Sequence, residues 1–432
     1  MSVNTLWIVD KTITQDEKQV LFGYCSQQCE CQWLKNHLWV KGDRNKIKTI
    51  YAARPLQSKV SIVGLEGKEN FKSHLSFPSL LQPRAGTPFS PPDLAQIYSF
   101  PPGNGVGQLM SIISLGGGYY PGNITTYLAG LGLVLANPIQ DISIMGAVNN
   151  PGVDVLFDIE NTLDIDVIAG LCPSAQINVY FCPRDIAGMF AGITQAIDDG
   201  SDIISISFGS NEATIDPAEF QNFETLFQEA AANQVSVFVA SGDNGSYGTT
   251  PYLAGDNVDF PSCCPSVTGV CGTTLVAPGN VRVSETVWNN DNGYTDATGG
   301  GISRFFFLPN YQQEASKTYN LGGYRMVGDV TGFADNNPGF KIFYDNGVDA
   351  PTVAVGGTSG TTPMYAGLFG RINQNNGHAS GFINPTIYIN TNAFYPITVG
   401  TNGSFSADPN GRYSPPTGVG SPNGLAIQSI FA

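Results

Sequence analysis

The chain has 432 residues, 20 basic against 35 acidic, and a formal net charge of −15. That length suits one large domain with an appendage, or two or three ordinary ones, and that charge argues against phosphate-backbone partners and anionic membrane surfaces. Charged residues make up 13% of the chain, against roughly 25% in ordinary soluble domains, so few carboxylate pairs stand to be lost in acid.

Residues 1–24 carry Asp10, Lys11, Asp16, Glu17 and Lys18 where a secretory signal would need an apolar core. No run is long and apolar enough to span a bilayer. Neither nucleic acid nor membrane is expected as a partner, a monomer is expected, and the compartment is left open. The eight cysteines include no C-x-x-C pair, and Cys25, Cys29 and Cys31, with His37 nearby, match none of the common zinc spacings. Free thiols or an occasional disulfide are the expected state.

In chain order, strand-like pieces come first, at TLWIV, IKTIYA and KVSIVGL. The stretch SLLQPRAGTPFSPPD then places four prolines in fifteen positions, which reads as a linker and sets a boundary near residue 85. Residues 1–85 are thus a short N-terminal α+β segment and 86–432 the main domain. Beyond the boundary, β-rich runs (GQLMSIIS, DISIMGA, QINVYF, DIISIS, VSVFVA) alternate with helical patterns (ITTYLAGLGLVL, ENTLDIDVIAGL, DIAGMFAGITQAI, PAEFQNFETLFQEAAANQ). Such alternation predicts an α/β fold, a parallel sheet with helices on both faces, and sites at the carboxyl ends of its strands.

Three stretches carry candidate chemistry. GGTSGTTP leads into an apolar helical run and places Ser359 at the mouth of a helix, as an N-cap or as a nucleophile. A serine attacks only when something takes its proton, and the three histidines, His37, His74 and His378, all lie away from the start of a helix that follows a core strand. The base is then expected to be a carboxylate. In ENTLDIDVIAGL, Glu160 and Asp164 lie four apart on one helix face, where a shared proton would raise one apparent pKa; solvated helix acids are the plain alternative. ASGDNG puts Asp243 in a turn at the end of a buried strand, as an ordinary turn residue or, protonated, as a hydrogen-bond donor to an oxyanion.

These stretches, with SPPDLAQIYSFP, SLGGGYYPGNITTYLAGLGL, VDFPSCCPSVTGVCGTT, TGGGISRFFFLP and TGVGSPNG in the same order, resemble the sedolisins, the serine-carboxyl peptidases, and are most similar to kumamolisin-like members. The resemblance runs from about residue 90 to the C-terminus. It implies a subtilisin-like fold and peptide cleavage in acid, with Ser359 the nucleophile, Glu160 the base, Asp164 its orienting acid and Asp243 the oxyanion donor. Gly300, Gly301 and Asp259 are candidate substrate contacts; Asp259 would favour a basic side chain or simply hold a turn. An endopeptidase is expected, tripeptidyl-peptidase activity is left open, and the rival reading is a sedolisin-fold protein that binds peptides without cleaving them.

Three departures from the family pattern stand out. Ser114 and Phe208 occupy positions where kumamolisin-like enzymes extend the proton network through a Glu and a Trp, so that network is expected to be missing. Pro396 and Ser414 stand where the family's calcium-binding Asp residues fall; Asp408 could substitute, but no metal or other cofactor is expected. Residues 1–85 are either a shortened pro-region or an unrelated cap.

Overall fold

A computed structural model describes residues 2–9, 13–34, 37–52, 54, 60–64, 71–76, 86–248, 255–290, 296–319 and 322–432. The chain begins with β1 (Ser2–Val9), α1 (Gln15–Ser26), β2 (Glu30–Leu34), β3 (His37–Asp43), α2 (Arg44–Ala52) and β4 (Val60–Val63). These strands pair antiparallel in the order β2-β3-β1-β4, a split β-α-β arrangement. Thr14 and Glu17 close a capping box at the head of α1, and Trp7, Leu21, Leu38 and Val40 fill the small core.

One expected strand is a helix. IKTIYA lies within α2, where Ile47 and Ile50 are buried while Lys46, Lys48 and Thr49 face solvent. The three-residue spacing of the isoleucines outweighs the strand preference of their β-branched side chains.

The next segment, β5 (Lys72–Ser73), pairs with the following unit rather than with β1–β4. That unit opens with α3 (Pro91–Ile97), capped by Ser90 and Asp93, and continues through β6 (Leu109–Ser114), α4 (Pro121–Gly130), β7 (Gln140–Ser143), α5 (Val155–Leu171), β8 (Gln176–Phe181), α6 (Ile186–Asp198) and β9 (Ile203–Ile206). ITTYLAGLGLVL is helical only as far as Gly130, because Gly132 turns the chain with φ +71°. Then come β10 (Phe208–Asn211), α7 (Pro217–Ala232), β11 (Ser236–Ala240), β12 (Asp259–Phe260), β13 (Thr268–Val276) and β14 (Ser284–Val287). The strands β15 (Gly301–Phe307) and β16 (Tyr324–Val327) flank α8 (Gln313–Ser316), and β17 (Val330–Phe333), β18 (Phe340–Tyr344) and β19 (Thr352–Val355) lead into α9 (Thr358–Asn376).

Among the described residues the central sheet has eight strands, ordered β14-β13-β11-β9-β6-β8-β7 with β17 also beside β13, and only β14 runs antiparallel. Neighbouring residues of β6 point to opposite faces: Ile112 joins the core under α5 and α9, with Leu163, Ile168, Tyr365 and Phe369. Ile113 joins the core under α6 and α7, with Met189, Phe190, Phe223 and Phe227. This is the α/β layering read from the alternation of patterns, preceded by an α+β segment. The two units meet through Asn4 Nδ2 donating to Asp185 Oδ2 at 2.9 Å and Gly64 N donating to Glu219 Oε1 at 2.8 Å. No helix among the described residues is long and apolar enough to cross a membrane.

Candidate active site

Beyond its exposed first two residues, Val155 and Leu156, the helix α5 has no solvent face. Asp158, Glu160, Asp164 and Asp166 on it are all 0% exposed, so the reading of Glu160 and Asp164 as solvated acids fails. Asp158 holds the preceding turns, accepting from Gly118 N and Gly152 N at 2.7 Å each, and Asp166 accepts from Phe343 N at 3.1 Å. Glu160 and Asp164, one turn apart, face the head of α9.

At that head the N-cap is Gly357, not Ser359. The capping oxygen comes from far away in sequence: Asp243 Oδ1 accepts from Thr358 N at 2.9 Å and Thr358 Oγ1 at 2.8 Å. Ser359, in the first turn, is free of the capping task, and its hydroxyl points to the Ser207 carbonyl at 3.4 Å. Pro363, four residues on, has no N–H to give the Ser359 carbonyl, and the Ser207 hydroxyl lies 3.4 Å from that oxygen instead. The same hydroxyl donates to Asp164 Oδ1 at 2.6 Å.

Burial dominates the electrostatics. It pushes the Glu160 carboxyl well above its usual range, the charge of Asp164 pushes further, and the nearby hydroxyls of Ser359 and Ser73 offset part of this. Neither Glu160 oxygen has a hydrogen bond of ordinary geometry among the described residues. Asp164 is raised by burial and pulled back by Ser207. Asp243 is raised well above its usual range by burial, against the two bonds from Thr358, and its Oδ2 has no partner among the described residues. A protonated Asp243 therefore has an O–H to offer at the amide end of α9.

The cleft before these groups is filled by the chain itself. β5 pairs antiparallel with β10, Ser73 opposite Phe208 and Lys72 opposite Gly209. His74 N donates to Ser207 O at 3.1 Å, and Ser359 N donates to His74 O at 3.1 Å. Ser76 and Gly356 exchange two backbone hydrogen bonds at 2.8 and 2.6 Å. A Cβ placed on Gly357, whose φ is +120°, would fall 2.2 Å from the His74 carbonyl oxygen and 2.6 Å from Asp243 Oδ2, so both oxygens share the small space above that glycine. The His74 ring, 1% exposed, lies over Gly209 and Gly242 with Nε2 3.6 Å from Asp259 Oδ2. That distance is beyond hydrogen-bond range, and burial, helped by Lys72, pushes the imidazole pKa down to about 3. The two groups make a polar contact with a neutral ring rather than an ion pair.

Of the other candidates, Gly300 packs on the Pro415 carbonyl and Gly301 on Val258 and Phe405. Ser114 Oγ donates to Gly116 O at 3.1 Å, and Phe208 stacks on Phe157 with ring centroids 5.2 Å apart. Neither the Glu nor the Trp of the family's extended network is present at these positions. Pro396 lies against Gly411, and Ser414 Oγ and Thr417 Oγ1 are 2.6 Å apart. Asp408 takes the Arg412 guanidinium at 2.9 Å and accepts from Asn410 N at 2.7 Å. That donor set, two hydroxyls and one carboxylate already neutralised by an arginine, does not fit a hard divalent cation. The eight cysteines are free thiols, and no group of three or more metal-type side chains converges among the described residues.

Sequence reasoning overlooked Ser207; it read KVSIVGLEGKENFKSHLSF as similar to the tail of a pro-region without placing residues 71–76 in the cleft. Alternation in FKSHLS hinted at a strand, but which sheet it joins is a tertiary fact.

A hydroxyl at a helix head, paired buried carboxylates and an acid beside the helix amides stand on a subtilisin-like α/β sheet, and the chain belongs to the Subtilase family, whose model matches residues 142–392. Within that class it is a kumamolisin-like member of the sedolisins. It is 40% identical over 370 residues to kumamolisin of Bacillus sp. (strain MN-32), covering 81% of this chain and 65% of that protein. Aorsin of Aspergillus oryzae is 32% identical over 286 residues, 55% of this chain and 42% of that protein. A solved Pseudomonas sedolisin, a serine-carboxyl proteinase complexed with two molecules of pseudo-iodotyrostatin, superposes with a TM-score of 0.69 at 26% identity, covering 80% of this chain and 98% of that one. The chain thus spans just under two thirds of the length of kumamolisin and less than half that of aorsin.

Proposed function

We propose that this protein is a serine-carboxyl endopeptidase working in acid. Glu160 takes the proton of Ser359 as its oxygen attacks the scissile carbonyl, and Asp164, held by Ser207, keeps the shared proton on the acid pair. The Ser359 N–H and the Asp243 O–H bind the oxyanion. Glu160 returns the proton to the leaving amine, and water then releases the acyl group by the same route. Asp259 lines the pocket for the side chain on the acyl side and selects a polar or basic one. Gly300 and Gly301, where an added side chain would meet Pro415 and Phe405, stay candidate contacts through their backbone alone. Calcium has no part in the reaction, given the pairing of Asp408 with Arg412.

The observation that carries this reading is the run of residues 71–76 across the cleft. Four residues, Phe71 to His74, lie on the acyl side of the carbonyl that Ser359 N–H holds, and Arg184 Nε still donates to Phe71 O at 3.1 Å. A cleft that accepts a continuous chain past the third residue suits internal cleavage rather than release of tripeptides. Residues 1–85 then act as a pro-region, with β1–β4 as a folded part and residues 71–76 in the cleft.

The test is digestion of a mixed peptide library between about pH 3 and about pH 7 by acid-treated protein, beside Ser359→Ala. Internal cuts that vanish in the variant support the proposal. Binding without cleavage at every pH, with residues 1–85 removed, leaves a peptide-binding protein, and cuts confined to the third bond from free amino termini leave a tripeptidyl-peptidase.

A further inference from the structure

We propose that Asp296 and Asn336 form a subsite for the second residue on the leaving side of the bond to be cut, and that this subsite takes a short side chain ending in a hydroxyl, serine or threonine. The inference rests on the serine-carboxyl reading above and adds the residues that select substrates beyond the scissile bond.

The segment in the cleft shows the pocket filled. Counted from the carbonyl that the Ser359 N–H holds, that of His74, Ser76 is the second residue on the leaving side. Its backbone is fixed by the two bonds it exchanges with Gly356, an antiparallel bridge, and residues paired in this way carry their side chains on the same face. A Cβ on Gly356 would fall 2.4 Å from Asn336 N, so that face is the one Asn336 covers, and the glycine lets the backbone of Asn336 close over the bridge. The Ser76 side chain lies there, buried beside the buried Asn336. Asn336 Nδ2 donates to Ser76 Oγ at 2.6 Å, and Ser76 Oγ donates to Asp296 Oδ1.

The two partners match a hydroxyl. An ionised carboxylate only accepts and an amide nitrogen only donates, so the pair suits one atom that does both. An alanine there makes neither bond. An ammonium would meet the Asn336 N–H donor to donor, and an aspartate or glutamate would set a second carboxylate against Asp296. The pocket is also held ready before a substrate arrives. Asn290 joins its two arms, its N–H donating to the Asp296 carbonyl at 2.8 Å and its Nδ2 to Asp335 Oδ1 at 3.0 Å, one residue before Asn336. Thr274 Oγ1 secures the other Asp335 oxygen at 2.7 Å. Besides burial, the charge of Asp296 raises the Asp243 carboxyl, so a change at Asp296 also alters the overall rate. The informative quantity is therefore a preference between substrates measured on one protein, which a change in overall rate or in the folded fraction leaves alone.

In the experiment, acid-treated protein digests a mixed peptide library, mass spectrometry locates each cut, and residues are tallied at the second position beyond it. Serine and threonine are expected there at least about fivefold more often than alanine, with aspartate and glutamate depleted. For a pair of cut peptides that differ only in serine or alanine at that position, the ratio of kcat/KM should be about tenfold. In Asp296→Ala the ratio should fall to within about twofold, and Asn336→Ala, at the other arm, should lower it as well. Asp296→Asn, which keeps an acceptor oxygen, should hold more of it. An even tally, enrichment of basic or apolar residues in place of hydroxyls, or a ratio that survives both alanine variants would overturn the inference, while the cuts themselves leave the peptidase reading standing. Absence of any cut, with Ser359 intact, would overturn the two together.

Discussion

The hydroxyl of Ser207 donates to Asp164 Oδ1 at 2.6 Å while its backbone carbonyl receives the His74 N–H at 3.1 Å. One residue between β9 and β10 thereby touches both the acid pair and the peptide in the cleft. With neither the Glu nor the Trp of the family's network at positions 114 and 208, Ser207 is the described residue whose side chain holds Asp164.

Ser207→Ala should therefore lower kcat/KM by about tenfold to a hundredfold, because positioning of the acid pair is lost. The bond from Ser207 stabilises the ionised carboxylate and lowers its pKa, so its removal raises the proton affinity of the pair and moves the pH–rate profile toward higher pH. Ser207→Thr should restore both. Profiles of the three proteins, measured on acid-activated enzyme, decide the matter; an unshifted profile in the alanine variant would make Ser207 merely structural.

Asp243→Asn keeps an oxygen for the Thr358 cap and places an N–H donor where Asp243 Oδ2 stands. Asp243→Ala removes both. The alanine variant is expected to lose about 100-fold to 1000-fold in kcat, the usual loss for one oxyanion donor, with KM little changed, and the asparagine variant to retain more of the rate. Steady-state kinetics on both variants, with circular dichroism to confirm folding, make the comparison.

Stability should fall as pH rises. Glu160, Asp164, Asp166, Asp158 and Asp243 are raised by burial, and burial pushes Glu212 to about 7. In the unfolded chain these groups ionise near pH 4, so above that the folded state holds more protons and each added pH unit costs stability until the raised pKa is passed. His74 works the other way between about 3 and 6.5, since the folded form resists the proton that the unfolded form accepts. Six acids outweigh one imidazole. The melting temperature of Ser359→Ala, which cannot digest itself, should drop by about 5 °C or more between about pH 4 and about pH 7.5. A flat or rising curve would refute the assignment of protonated buried acids.

Calcium should make no difference. Addition of a chelator or of millimolar calcium is expected to shift the melting temperature by less than about 1 °C, because a ligand stabilises a fold only in proportion to its occupancy. Restoring carboxylates with Pro396→Asp and Ser414→Asp, together with Arg412→Ala to free Asp408, should create calcium dependence where the parent has none. Differential scanning calorimetry with and without the ion reads both.

The amino-acid sequence by itself determined much of this protein. Strand runs such as QINVYF and DIISIS are continuously apolar because a parallel sheet is covered on both faces, and that pattern is local. The positions of Ser359, Glu160, Asp164 and Asp243 were legible because each sits in a short stretch whose residue types suit its place at a helix head, on one helix face or in a strand-end turn. IKTIYA misled, since propensity and burial spacing point different ways over six residues. What only the tertiary structure decided is which groups meet: that Asp243 caps a helix 115 residues further on, that Ser207 reaches Asp164 across 43 residues, and that β5 lies in the cleft. The reason is physical. A strand's partner and a carboxylate's surroundings are set by long-range packing and by the exclusion of water, and neither is written in the spacing of residues along the chain.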